Sequence, residues 1–240
     1  MNESNPYNSL EAPAAAFAAA SERAAFLKKV YGILFLGMLG FAATLWAAAN
    51  VPAVNELAMS IGRAIYGSRF GWLLYIGLFM GASFAVHSLA ERSPINVVAY
   101  AAYVVVMALL IAPIVLMVNG MSDGAEIIRQ ASLLTALLFG GMTVYVLWSG
   151  KDFSWLRGTI SMLFWGLLVA GLVGWLTGFS FGLLMSWGVL VLIACYILYD
   201  TSRILHQLPT TMAMTAAVLL FTNVVLLFKH ILILVASSRD

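Results

Sequence analysis

The sequence predicts an all-α membrane protein that crosses the bilayer seven times. Of its 240 residues, 63% are hydrophobic and only 9% are charged, whereas soluble domains carry roughly a quarter charged residues. The few charges also punctuate the chain, leaving uncharged stretches near the roughly 20 residues that a spanning helix needs. A net charge of +2 without a Lys/Arg cluster excludes a nucleic-acid partner. The lipid bilayer is the partner the composition implies. The one cysteine, Cys195, lies in an apolar run, where it reads as a small packing residue.

The chain opens with Met1–Arg23, rich in Asn, Ser, Glu and Ala, with Pro6 and Pro13. It lacks bulky apolar periodicity, so residues 1–25 are expected to form a flexible tail and residues 26–240 the membrane domain. The first span is expected over Leu27–Ala49, anchored by Lys28 and Lys29. Its Trp46–Asn50 segment looks like a small-residue cleavage site. The uncharged window Val30–Asn55 nevertheless exceeds a signal-peptide core of roughly 7–15 residues, which points to an uncleaved span. A loop with Pro52, Glu56, Arg63 and Arg69 follows, long enough for a short interfacial helix.

Phe70–Ala90 gives the second span, closed by Glu91, Arg92 and Pro94. The third covers Ile95–Val118, with Pro113 placed to kink it. The fourth runs over Ala131–Ser149 and stops at Gly150, Lys151 and Asp152. The 42 residues Gly158–Tyr199 carry no charge. As one helix they would extend roughly 60 Å, twice the hydrocarbon thickness. They therefore form a fifth and a sixth span, broken at Thr177-Gly178-Phe179-Ser180. The seventh follows His206-Gln207-Leu208-Pro209 and covers Met212–Ala236. Gly77-x-x-x-Gly81, and Gly37 with Gly40, are spaced for close helix approach, within the chain more often than between two copies.

Seven spans put the termini on opposite sides. With the N-terminus inside, the inner loops hold seven basic residues (Arg23, Lys28, Lys29, Arg92, Lys151, Arg157, Arg203). The outer loops hold four, Arg63, Arg69, Arg129 and Arg239. Positive residues favour the cytoplasmic side, so N-in and C-out is expected.

Candidate chemistry is sparse. Asp200 ends the longest uncharged window and sits roughly 6 Å inside the inner end of the sixth span. It reads either as an interfacial acid paired with Arg203 at i+3, or as a partly desolvated proton or cation site. Lys229 reads as a snorkelling residue, and His230 and His87 as packing residues or titrating groups. Gly81-Ala82-Ser83-Phe84 partly matches a serine-nucleophile turn, but His87 lies on the same helix. The three histidines are scattered, without a metal-binding spacing. No enzyme, and no cofactor or metal, is expected.

Four segments resemble the Bax inhibitor-1 family, and most closely its bacterial YccA-type branch. They are Phe26–Gly37 (FLKKVYGILFLG), Ala112-Pro113-Ile114, Thr135–Gly158 with its KDFSWL core, and Tyr196–His206 (YILYDTSRILH). The ending Ser238-Arg239-Asp240 is also similar to that branch. The resemblance implies six helices around a seventh, in a bacterial cytoplasmic (inner) membrane. It implies either of two roles. One is an interacting modulator of an FtsH-type membrane-anchored AAA+ protease. The other is a pH-sensitive calcium or cation leak, or a proton-coupled transporter.

In well-matched members the leak is assigned to an aspartate on each of the last two helices, sharing a proton. Asp200 matches the first. With Leu227–Leu232 setting the register, the second position holds Asn223, or Thr222 after a one-residue slip. A hydrogen-bond donor then replaces a carboxylate, and a calcium ligand is lost, which leaves calcium a possible but weakened occupant. Arg92 matches the family's arginine at the end of the second span, a further charge partner beside Arg203.

Overall fold

The computed structural model describes residues 14–68, 70–179 and 181–239. Expectations for Met1–Pro13, Arg69, Ser180 and Asp240 lie outside the described residues. The helices are α1 (Ala20–Asn50), α2 (Pro52–Tyr66), α3 (Gly71–Leu89), α4 (Ile95–Asn119), α5 (Gly124–Ser149), α6 (Leu156–Thr177), α7 (Gly182–His206) and α8 (Ala213–Ser237). Among the described residues, all helices except α2 are long and apolar enough to span a membrane, giving the expected seven. The short helix expected in the first loop is α2, started by Pro52 in its first turn.

Two starts are earlier than expected. Helix α1 begins at Ala20 instead of Leu27, and α5 at Gly124 instead of Ala131. Glu22 and Glu126 occupy these first turns, where the helix dipole favours a negative charge. Apolar length marks only the part that needs lipid, and the backbone hydrogen bonds continue past it.

The break expected at 177–180 falls in place. Helix α6 ends at Thr177, Gly178 takes a left-handed φ of 75°, and α7 starts at Gly182. A left-handed residue after a helix is where glycine costs least. Gly150, at φ 59°, plays the same part after α5.

The chain divides into two compact units, residues 1–24, 129–211 and 222–240 in one and 25–128 with 212–221 in the other. In the second unit, α1 buries Phe26, Val30, Leu34, Gly37, Phe41 and Ala48, spaced three, four or seven apart along one stripe. Phe221 is fully buried, and the rings of Phe41, Tyr100 and Tyr103 meet it edge-on at 6.1, 5.7 and 5.9 Å. Helix α4 packs against α2 and α3. In the first unit, Val146, Phe153, Leu156, Ile160 and Leu192 form a core between α5, α6 and α7.

Burial separates two helices from the rest. The most apolar window is 61% buried in α4 and 56% in α8, against 6–22% in the other five spans. The expected enclosed seventh span is thus matched by an enclosed third, because α4 is apolar around its whole circumference.

The small-residue spacings divide as well. A Cβ on Gly37 would overlap the Tyr100 hydroxyl and come within 2.7 Å of its ring, and one on Gly40 would lie 3.3 Å from Val104. Gly77 and Gly81 have nothing within 4 Å of such a Cβ, so this pair is not a packing contact, contrary to expectation. Spacing puts two glycines on one face but does not say what that face meets. Gly37→Ala is expected to destabilise by about 1–3 kcal/mol through overpacking. Gly77→Ala should be neutral or slightly stabilising. Thermal melts in detergent compare the two, and equal losses would contradict this packing.

The tail is also more tied down than expected from Ala14 onward. Ala15 is fully buried, and its amide donates to the Leu208 carbonyl at 3.0 Å, beside a bridge from Ala14 to Pro209.

Candidate functional site

The first unit contains Asp200, Asn223, Thr222 and Arg203. Asp200 sits in the last two turns of α7 and Asn223 near the middle of α8. Both side chains are more than nine-tenths buried. The Asn223 amide Nδ2 donates to Asp200 Oδ2 at 2.7 Å. Of the two residues that register left open, the structure brings Asn223 to the carboxylate, and Thr222 is half-buried a step away. Arg203 is half-buried one turn further along α7. Arg92 is exposed in the α3–α4 turn and belongs to the other unit.

The chemistry follows from donor and acceptor counts. An ionised carboxylate only accepts, while a carboxamide offers two donors and one acceptor. At 2.7 Å the bond is at the short end of the ordinary range for a nitrogen donor. Thr201, beside Asp200, is buried with its hydroxyl unbonded to protein. The pair therefore offers one carboxylate and one amide oxygen. Among the described residues, no group of three or more His, Cys, Asp or Glu side chains is placed to hold a metal.

A second polar cluster lies on the other side of α7. Ser202 is two residues beyond Asp200, which turns it about 200° around the helix. Its buried hydroxyl accepts from the Phe153 amide at 2.9 Å and donates to Asp152 Oδ1 at 3.3 Å. Asp152 in turn accepts from the Ser154 amide at 2.8 Å and the Ser154 hydroxyl at 3.1 Å, an Asx turn that shapes the loop. One turn after Ser202, His206 places Nδ1 3.0 Å from the Ser202 carbonyl and Nε2 3.1 Å from the Gly150 carbonyl. A neutral ring donates to one of these oxygens, and a doubly protonated ring to both.

Helix α7 thus faces α8 through Asp200 and the α5–α6 loop through Ser202 and His206. The tail bond to Leu208 starts two residues later. These contacts put the tail, the α5–α6 loop and the α7–α8 turn at one end of the unit, as a seven-span path requires. Sequence reasoning quoted the loop and helix end as motifs but gave Asp152, Ser202 and His206 no role. The Asp-x-Ser spacing of an Asx turn was the available signal. His87, by contrast, bonds only locally, to the Ser83 carbonyl at 2.7 Å.

The Ser154 amide is the leading reason that Asp152 is held below its ordinary value of 3.8, and the Ser154 and Ser202 hydroxyls and nearby His206 add to it. A lowered folded value means the carboxylate supports the loop above the ordinary carboxylate range. That support is lost as pH falls through the folded value. The stability difference between wild type and Asp152→Asn should therefore shrink as pH falls below about 4. A difference that persists unchanged below about pH 3 would contradict this origin.

A multi-pass helical membrane protein with a buried carboxylate–carboxamide pair between its last two spans is the class that fold and site define. The chain belongs to the Bax inhibitor-1 family, since the model described as "Inhibitor of apoptosis-promoting Bax1" (Bax1-I) matches residues 23–240. It is 30% identical over 219 residues to mouse protein lifeguard 4, covering 88% of this chain and 84% of that one. It is 29% identical over 212 residues to the Golgi anti-apoptotic protein of Vaccinia virus (strain Lister), with the same coverages of 88% and 84%. An uncharacterized Pseudomonas aeruginosa protein is 40% identical over 95 residues, 39% of this chain and 43% of that one. Proteins of this family are generally non-enzymatic membrane proteins.

Proposed function

We propose that this protein is a cation- or proton-responsive leak of the membrane, centred on Asp200 and Asn223. The observation that carries the reading is the buried Asp200 carboxylate bonded by the Asn223 amide at 2.7 Å. An ionisable side chain at membrane depth is costly and is retained where ions or protons pass. An entering proton or cation would compete with the Asn223 amide for the same Asp200 oxygen. Calcium prefers six to eight oxygens and several carboxylates. A proton or a monovalent ion suits this pair better.

Asp200→Asn tests the reading with little change of shape, because its amide oxygen can still accept from Asn223. In vesicles with a pH or cation gradient, this variant should fall to the flux of empty vesicles while its melting temperature stays near wild type. Wild-type flux from Asp200→Asn would sink the proposal, and calcium-loaded vesicles form a separate arm.

The tail contact favours a second reading, in which the protein is an interacting modulator of an FtsH-type AAA+ protease. The Ala15–Leu208 bond fastens the tail to the turn that follows α7. A partner pulling on the tail would load that turn, two residues beyond His206 and next to the loop cluster. Co-purification from bacterial membranes should then recover the protease with the full chain but not after removal of residues 1–13. No recovery with the full chain would reject it.

A further inference from the structure

A cavity of about 820 Å³ opens in the second unit, between the end of α1, helix α2 and the C-terminal half of α4. That is within the roughly 300–1,000 Å³ of small-molecule sites. Its walls include Met59, Ile114 and Met117, and Arg63 and Tyr66 from the last turn of α2 stand among them. No acidic side chain is among the described lining residues.

The placement of these groups follows from α2 itself. It buries Ala58, Gly62 and Ile65 and leaves Arg63 and Tyr66 exposed. Gly62 lets it approach α4 closely, since a Cβ there would lie 2.8 Å from the Pro113 ring. This contact makes the floor of the cavity. Because α2 connects two spans, it lies at a membrane surface, where a helix of this pattern sets its basic residues among lipid headgroups. Although much of the Tyr66 ring is exposed, partial burial against the protein, with Tyr75 nearby, raises its phenol above the ordinary tyrosine value. It remains a hydrogen-bond donor at any working pH.

We infer that this cavity binds an acidic phospholipid, with one acyl chain against Met59, Ile114 and Met117 and the phosphate held by Arg63 and Tyr66. A guanidinium pairs with the two non-bridging oxygens of a phosphodiester through parallel hydrogen bonds. The phenol adds a third donor. One cation without a lining acid matches one negative charge, while the apolar walls exclude a free phosphate ion as the main occupant. Because no residue is shared with the Asp200 pair, this site stands independently of the leak.

The test is native mass spectrometry of the delipidated full chain. It is titrated in separate arms with phosphatidylglycerol, phosphatidylethanolamine, oleate and inorganic phosphate. Wild type should retain one phosphatidylglycerol in preference to phosphatidylethanolamine by about tenfold or more, the scale of one charge-assisted contact. Arg63→Gln should abolish that preference, and Arg157→Gln, an exposed basic residue elsewhere, should leave it intact. Arg63 is exposed, so its replacement leaves the packing alone, and an unchanged melting temperature checks this. Met117→Trp, which puts a bulkier ring at the apolar wall of the cavity, should reduce binding of both phospholipids. Equal retention of the two phospholipids by wild type would overturn the inference, as would equal losses in Arg63→Gln and Arg157→Gln. Tighter binding of oleate or inorganic phosphate than of phosphatidylglycerol would also overturn it.

Discussion

Asn223→Leu is expected to destabilise the protein by about 3 kcal/mol, because it strips a donor from a buried carboxylate. Leaving a buried group short of a partner costs about 1–3 kcal/mol, and more for a charged one. The Asn223 Nδ2 to Asp200 Oδ2 bond is short, and both side chains are buried. Leucine keeps the branched outline of asparagine but is bulkier, so no cavity forms and some overpacking adds to the loss. Double replacement of Asp200 and Asn223 by leucine should recover part of the loss, since it removes this donor and this acceptor together. That recovery distinguishes a broken bond from disturbed packing. If Asn223→Leu melts as wild type does, the bond is not a stabilising contact.

Asn223→Asp is the informative companion. It restores a carboxylate pair, and two carboxylates at this distance cannot both ionise cheaply. The pair must share a proton, and folding of this variant is linked to it. A folded state that binds more protons than the unfolded chain loses stability as pH rises. The variant should therefore be weaker at alkaline than at mildly acidic pH, relative to wild type. Parallel pH profiles for the two proteins would contradict the geometry.

Phe221→Ala is expected to cost about 3 kcal/mol, the lower end of the soluble-protein range for such a truncation. The lower end applies because lipid is as apolar as the protein interior, so transfer contributes little and packing dominates. Three edge-on ring contacts disappear, each worth about 0.5–1.5 kcal/mol beyond area. Phe41, Tyr100 and Tyr103 would face the void, and Gly37 already leaves Tyr100 no room to move toward α1. Phe221→Leu should lose about half as much, since it keeps most of the volume. Chemical unfolding in mixed micelles measures both. A Phe221→Ala loss within the roughly 0.5 kcal/mol of an ordinary surface change would remove Phe221 as the hub of that unit.

The amino-acid sequence by itself determined the seven spans, the break at Gly178 and the short helix after the first span. Each follows from a local quantity: the cost of a charge in hydrocarbon, the thickness of a bilayer, or the freedom of glycine at positive φ. The long uncharged window singled out Asp200, and the resemblance then narrowed its counterpart to Asn223 or Thr222. Only the tertiary structure decided between them, because neighbouring residues on a helix point about 100° apart and packing sets the rotation. The same reason separates Gly37, pressed against Tyr100, from Gly77 and Gly81, which meet nothing. It also explains why the Asp152–Ser202–His206 cluster stayed hidden. Those residues are some 50 positions apart in the chain, and nothing local records that a loop and a helix end share hydrogen bonds.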